Sequence, residues 1–312
     1  MKLKKKNPKR IWIIIALILA VFFLVLLPLI SLYVYNLVFG VRYQTDKEYM
    51  LYTEDFPGLI MERDEFTSNE GQKLAAYFYR REGYEPKGVV VMAHGIGGGG
   101  HNPYMVSANY FTENGYYVFA YDATGNDNSE GKAVGGLPQG VIDLDHAITY
   151  VEQNEKFAGL PVFLFGHSWG GYSVTSVLNQ HPEVTAVCSV SGFNESSDLL
   201  QAEGKNMIGP AIYLLIPYVN LYEKIKFGNY SSQTGMDGFE KSDAGVMIVH
   251  SSDDDTVPIQ YGYDIYYGKY STDSDFVFVK YDDMGHSRIL SMEENPELME
   301  KVVEFFDGYV DR

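Results

Sequence analysis

Hydrophobic positions fall into two regimes along this chain of 312 residues. From Ile11 to Val41 no charge interrupts them, a run longer than the roughly 20 residues a helix needs to cross a bilayer. Beyond about Leu59, short β-branched or aromatic runs alternate with segments of helical periodicity, the signature of a parallel sheet covered on both faces. The strand candidates are MERDEF (61–66), LAAYFYR (74–80), GVVVMAH (88–94), YYVFAYD (116–122), PVFLFG (161–166), TAVCSVSG (185–192), GVMIVH (245–250) and FVFVKY (276–281). Helical patterns lie near 102–114, 137–153, 169–180, 258–269 and 294–309. The first two runs flank Asn69-Glu70-Gly71 and predict a hairpin, whereas the later, continuously apolar runs predict buried parallel strands with right-handed crossovers. The predicted fold class is α/β, an eight-stranded, mostly parallel sheet with flanking helices.

Two departures from that alternation stand out. Residues 194–244 separate the sixth and seventh runs by about fifty positions, more than the roughly 10 to 12 a crossover requires. Their centre, MIGPAIYLLIPYVNLY, is apolar and broken by Pro210 and Pro217, so an inserted helical cap lying over a pocket is expected. The other departure is the N-terminal apolar run. Lys2, Lys4, Lys5, Lys6, Lys9 and Arg10 precede it, which places the N-terminus in the cytoplasm and the body outside a cell membrane crossed once. Trp12, Tyr33 and Tyr35 suit the two interfaces, and Pro28 is a candidate kink. A cleaved signal peptide is the competing reading, but its apolar core runs only about 7 to 15 residues, and Val38-Phe39-Gly40 is the one faint cleavage site. The expected organisation is a basic tail (1–10), a transmembrane anchor (11–38), a juxtamembrane connector (39–59) and one globular domain (60–312).

Charge narrows the partners. The whole chain carries −17, and without the six positive charges of its first ten residues the remainder carries −23. Such a body lacks the basic footprint of a nucleic-acid binder. The single cysteine, Cys188, lies in an apolar run and excludes an intramolecular disulfide framework.

The chemistry gathers at strand ends. PVFLF runs directly into Gly166-His167-Ser168-Trp169-Gly170-Gly171 and then a helical pattern, a G-x-S-x-G turn. A serine on such a turn is held in a strained conformation and projects into a cleft, while Gly166 and Gly170 allow strand and helix to approach. A serine hydroxyl is a weak nucleophile that needs a neighbouring base, itself oriented by an acid. Seven histidines are available: His94, His101, His146, His167, His181, His250 and His286. The loop SSDDDTVP offers Asp253, Asp254 and Asp255 as acids. HGIGGGG, residues 94–100, could present backbone N–H groups to a developing oxyanion. No G-x-x-x-x-G-K-[ST] string accompanies these glycines and no H-E-x-x-H or cysteine cluster accompanies His94 and His101, so neither nucleotide cofactor nor metal is assigned.

Taken together, HGIGGGG, YDATGNDNSEG, GHSWGGY, SSDDDTVP and MGHS resemble, in order and spacing over about residues 60–312, the α/β-hydrolase superfamily, in particular its serine esterase, monoacylglycerol-lipase-like and serine-aminopeptidase-like branches. The resemblance implies the order serine, acid, histidine, which selects His286 as the base. It implies the frame G-x-x-D-x-x-V-P for the acid; laid on Val257 and Pro258 this selects Asp254, with Ser251 in place of the usual glycine. Asp253 is then expected to stay solvated, and Asp255 or Thr256 to cap the helix near Pro258. The oxyanion donors implied are the backbone N–H groups of Ile96, beside Gly95, and of Trp169. Residues 122–131 resemble the family's D-x-R-G-x-G-x-S loop except that Thr124 replaces arginine and Asn126-Asp127 replaces x-G, which leaves that loop's shape open. The expected activity is hydrolysis of an ester or related acyl compound, lipid included, through an acyl-Ser168 intermediate and without a cofactor. Trp169, the cap and the tyrosines are expected to shape the pocket. A peptidase or acyltransferase on the same residues, and a non-catalytic binding protein, are the alternatives.

Overall fold

The computed structural model describes residues 8–311; Lys2, Lys4, Lys5 and Lys6 of the basic tail lie outside them. Eight strands form one sheet: β1 (Ile60–Thr67), β2 (Lys73–Arg80), β3 (Val89–Ala93), β4 (Tyr117–Tyr121), β5 (Val162–His167), β6 (Ala186–Val190), β7 (Gly245–Ser251) and β8 (Phe276–Tyr281). Their order is β1-β2-β4-β3-β5-β6-β7-β8. The β1–β2 hairpin and the β2–β4 pair are antiparallel, and every pairing from β4 through β3 to β8 is parallel. The central strands β3, β5 and β6 are buried almost throughout, as continuous apolar runs demand when both faces are covered. Edge strands β1 and β8 alternate or stay half-exposed.

The helices are α1 (Pro8–Val21), α2 (Leu27–Phe39), α3 (Met105–Glu113), α4 (Pro138–Gln153), α5 (Trp169–Ser176), α6 (Ser196–Ile208), α7 (Ile212–Phe227), α8 (Gly235–Phe239), α9 (Tyr263–Tyr270) and α10 (Glu297–Asp307). A π-helical turn, Phe22–Leu26, joins α1 to α2 just before Pro28, where the missing proline N–H disturbs the i to i−4 ladder. The result is one continuous apolar helix, Lys9–Phe39, long enough to cross a membrane.

Three helices, α6 to α8, occupy the insertion between β6 and β7, but they do not cover the cleft at the strand ends. Their apolar surface is used elsewhere. The α2 stripe Leu27, Ser31, Tyr35 and Phe39, one residue per turn, is buried, and Leu27 clusters with Ile212 and Leu215 of α7. The Ser31 hydroxyl donates to the Leu27 and Leu215 carbonyls at 2.8 and 3.2 Å, and Tyr218 donates to the Phe23 carbonyl at 2.7 Å. At the far end of this seam Tyr35 donates to Glu223 at 2.7 Å and Ser196 donates to the other Glu223 oxygen at 3.2 Å. Glu223 is 1% exposed. Burial raises its carboxyl to about 7, against the opposing hydrogen bonds of Tyr35 and Ser196. Expecting a pocket lid, the sequence pattern misjudged the partner: the helix covered by the cap is the N-terminal one.

Candidate active site

β5 ends at His167, and Ser168 follows with φ 57° and ψ −115°, a strained conformation for a residue other than glycine, directly at the start of α5. Strand and helix meet so closely here that a Cβ on Gly166 would lie 2.2 Å from the Gly170 carbonyl oxygen, and one on Gly170 would lie 1.9 Å from that of Ala93. Only hydrogen fits at either position.

The Ser168 hydroxyl lies 2.9 Å from His286 Nε2, and His286 Nδ1 lies 2.8 Å from Asp254 Oδ2. His286 comes from the loop after the edge strand β8 and Asp254 from the loop after its neighbour β7, and both reach back across the end of β6 to Ser168 at the end of β5. The second Asp254 oxygen accepts the backbone N–H groups of Thr256 and Val257 at 3.0 and 2.8 Å. His250 Nε2 stands 3.4 Å from Asp254 Oδ2, while its hydrogen bond runs to the Val257 carbonyl at 2.8 Å. Asp254 is 5% exposed. Burial alone would raise its carboxyl, but the neighbouring His250 and His286 imidazoles and the Val257 N–H outweigh it and hold the group well below the usual carboxylate range.

Its neighbours are not idle. Asp253 takes the Ser251 hydroxyl at 2.5 Å and the Gly285 N–H at 2.8 Å, and Ser251 in turn accepts the Met284 N–H at 3.0 Å. Asp253 therefore buttresses the turn that delivers His286 and is not simply solvated; the Ser251 and Gly285 bonds lower its carboxyl. The segment after Pro258 opens with no side-chain cap from Asp255 or Thr256.

Two further residues, His167 and Tyr104, complete the surroundings. The Gly95 N–H donates to the Tyr104 oxygen at 2.9 Å, Tyr104 lies 2.9 Å from His167 Nδ1, and His167 Nε2 lies 2.9 Å from the His286 carbonyl. This chain is consistent only if Tyr104 donates to Nδ1 and Nε2–H donates to His286. Burial first, and the nearby His286 second, lower the His167 imidazole to about 4, so it stays neutral. Its position inside the G-x-S turn was the available signal; Tyr104 carried none.

An open cleft of about 590 Å³ has Ser168, His286, His167, Gly95 and Ile96 on its lining, with Pro103, Tyr104, Leu290 and Met292 as its larger walls. No residue of 194–244 lines it. Trp169 does not either: its indole is 1% exposed and donates to the Leu137 carbonyl at 2.7 Å, so only its backbone N–H, at the positive end of α5, stands beside Ser168. Gly95 borders the serine, a Cβ there falling 3.4 Å from Ser168 Cβ. His94 and His101 are structural: His94 Nε2 accepts the Ala123 N–H at 2.9 Å, and His101 bridges Asp122 and Tyr79 at 2.7 and 2.9 Å. Among the described residues one group, Glu152, His181 and Glu183, has metal-type spacing, but both His181 nitrogens already meet carboxylates, Asp145 and Glu183, at 2.8 Å.

A strained serine at a strand-to-helix turn, on a sheet of this order, with acid and histidine following from the last two strands, decides the class. The chain has the α/β-hydrolase fold. A family profile described as "Serine aminopeptidase, S33" matches residues 84–237, a stretch holding the glycine loop and Ser168 and ending before Asp254. Among curated proteins the chain is 29% identical over 133 residues to the quorum-quenching protein AidA of Acinetobacter baumannii (42% of this chain, 43% of AidA). It is 28% identical over 130 residues to caffeoylshikimate esterase of Arabidopsis thaliana (38% and 39%) and 31% identical over 119 residues to human monoglyceride lipase (38% and 36%). The chain thus spans about two-fifths of these relatives. Its fold matches an esterase of Pyrococcus furiosus with a TM-score of 0.66 at 16% identity (86% of this chain, 98% of that one). It also matches an acylaminoacyl peptidase of Pyrococcus horikoshii with a TM-score of 0.61 at 18% identity (82% and 43%).

Proposed function

We propose that this α/β-hydrolase is a membrane-anchored serine hydrolase that cleaves an ester or related acyl bond through a covalent acyl-Ser168 intermediate. The observation that carries the reading is the unbroken line from Ser168 Oγ through His286 to Asp254, at 2.9 and 2.8 Å, opening on a cleft. His286 Nε2 takes the serine proton as Oγ bonds the acyl carbon, and returns it to the leaving oxygen when the tetrahedral adduct collapses. Water, deprotonated by the same nitrogen, then releases the acid and frees Ser168. Asp254 fixes the imidazole tautomer and stabilises the imidazolium without itself taking a proton. The N–H groups of Ile96 and Trp169 face the adduct oxygen in this reading.

The anchor reading rests on the exposed apolar helix Lys9–Phe39, and the basic residues that precede it argue for a cytoplasmic N-terminus with the cleft outside. It gains support from the cap, where Met207, Tyr213, Leu214 (52% exposed), Leu221 (58%) and Ile225 (76%) present apolar surface next to that helix. Such a surface suits lipid contact and favours an acyl or lipid ester as substrate. A peptidase is the second reading, favoured by the aminopeptidase profile over residues 84–237.

The test is turnover of p-nitrophenyl esters of rising chain length by the full chain in detergent, beside Ser168→Ala, with fluorophosphonate labelling of both. Loss of turnover and labelling in the variant supports the reading. A folded wild type that labels but cleaves only aminoacyl amides points to the peptidase, and one that neither labels nor turns over points to a binding role.

A further inference from the structure

The segment that leaves the anchor, Val41–Thr45, does not run free. Tyr43 forms a parallel bridge to Asn126, with its N–H donating to Gly125 and its carbonyl accepting Asp127. Val134 N–H donates to Val41 and Gly135 N–H to Phe39, at 3.0 and 2.9 Å. The Arg42 guanidinium gathers the carbonyls of Asp127, Ser129 and Gly131. This strap ends at Thr45, which is buried and meets the Asp127 carboxylate twice, through its N–H and its hydroxyl, both at 2.6 Å. The Asp127 oxygen that takes the hydroxyl also takes the Gly100 N–H at 2.8 Å.

Gly100 closes the glycine loop that begins at Gly95, and that loop's Ile96, Gly98 and Gly99 line the cleft. Thr45 also presses on Gly99: with φ +93°, a Cβ there would lie 2.2 Å from Thr45 Oγ1 and 2.3 Å from Thr45 N. Asp127 itself adopts a left-handed backbone, with φ 32°. Its carboxylate supplies acceptors for three donors from two segments that would otherwise meet N–H to N–H.

We infer that Asp127 is a positioning residue that clamps the oxyanion loop to the juxtamembrane strap through Thr45 and Gly100, so that the rate of acyl transfer depends on the chain leaving the anchor. The inference rests on the proposed serine hydrolase mechanism. Donors to an oxyanion must be fixed to a fraction of an ångström, since losing one costs about 10²- to 10³-fold in rate and a misplacement of about 1 Å costs about 10²-fold. Asn at 127 keeps one acceptor oxygen and turns its amide toward an N–H; Val at 45 keeps the shape and loses the hydroxyl.

The experiment compares full-length wild type, Asp127→Asn, Thr45→Val and, as a control one residue beyond the strap, Asp46→Asn. Each is assayed in detergent for kcat per fluorophosphonate-titrated site, KM, phenylboronic acid affinity and Tm. Expected are kcat losses of roughly 10- to 100-fold for Asp127→Asn and smaller ones for Thr45→Val. The affinity for phenylboronic acid, whose tetrahedral adduct places an oxygen in the same hole, should fall with kcat while KM and Asp46→Asn stay near wild type. Unchanged kcat per titrated site in both strap variants, with only Tm lowered, overturns the inference and makes the clamp structural. Ser168→Ala retaining turnover would instead remove the underlying mechanism.

Discussion

Glu223 gives the sharpest test of how cap and N-terminal helix are joined. Its carboxyl is raised to about 7 from an ordinary 4.5 by burial, and its folded-state value therefore exceeds that of the unfolded chain. A group raised in this way contributes its stability in full below pH 4.5, and loses it as pH climbs through 7 and the buried carboxyl must ionise. The gap of about 2.5 units, at 1.36 kcal/mol each, amounts to about 3 kcal/mol. Glu223→Gln removes the ionisation and keeps the hydrogen bonds, because Gln Oε1 still accepts from Tyr35 and Ser196 can accept from the amide. Wild type and variant should then be equally stable near pH 4, whereas at pH 8 the variant gains up to about 3 kcal/mol, several degrees in Tm for a domain this large. Hydrogen exchange along α7, read at both pH values in detergent, localises the effect to the seam with α2. Parallel melting curves and equal α7 protection for the two proteins across pH 4 to 8 would refute the reasoning.

Other expectations follow from the same geometry. Asp254→Ala should lower kcat by roughly 10⁴-fold, and Asp253→Ala by about 10-fold, since Asp253 holds the Gly285 N–H and thereby the His286 turn; a reversed ranking in kcat would move the acid to Asp253. Tyr104→Phe leaves the Gly95 N–H and His167 Nδ1 unpaired and should cost about 1 to 3 kcal/mol in urea unfolding; no change in the unfolding midpoint would show that the pair is satisfied otherwise. The His181 imidazole is lowered by burial but raised overall by Asp145 and Glu183, so the stability it lends is complete below its unfolded value of about 6.5 and fades as pH rises beyond it. Thermal melts of His181→Asn should lack that decline. Gly170→Ala places a methyl 1.9 Å from the Ala93 carbonyl and should yield no folded protein by near-ultraviolet circular dichroism.

What could be read in advance followed from how local the signal was. Continuous apolar runs such as GVVVMA and VFLFG can be satisfied only by a sheet covered on both faces, so strands β3 to β7 were legible to within a residue or two. Ser168 was legible for the same reason, standing just beyond the end of β5, whereas Asp254 and His286 were singled out among three aspartates and seven histidines only by the family resemblance. The cap was misplaced because an all-apolar helix hides its own stripe. Nothing in Leu27, Ser31, Tyr35 and Phe39 distinguishes a face turned to protein from one turned to lipid until Glu223 is found opposite Tyr35. Asp253 and Asp127 were opaque because their partners, Gly285 and Gly100, are backbone N–H groups that carry no sequence signature.

The α2 stripe has a mechanical meaning. A domain on a flexible leash samples a hemisphere above its attachment point, and its encounters are governed by leash length alone. Here one side of the helix is locked to α7 along three turns and the exit strand is laced into the loops beneath it. The body is mounted as on a post. Its cleft faces one direction and stands at one height relative to the helix axis. Where that helix crosses a bilayer, the substrates within reach are fixed by geometry before any pocket residue has discriminated among them.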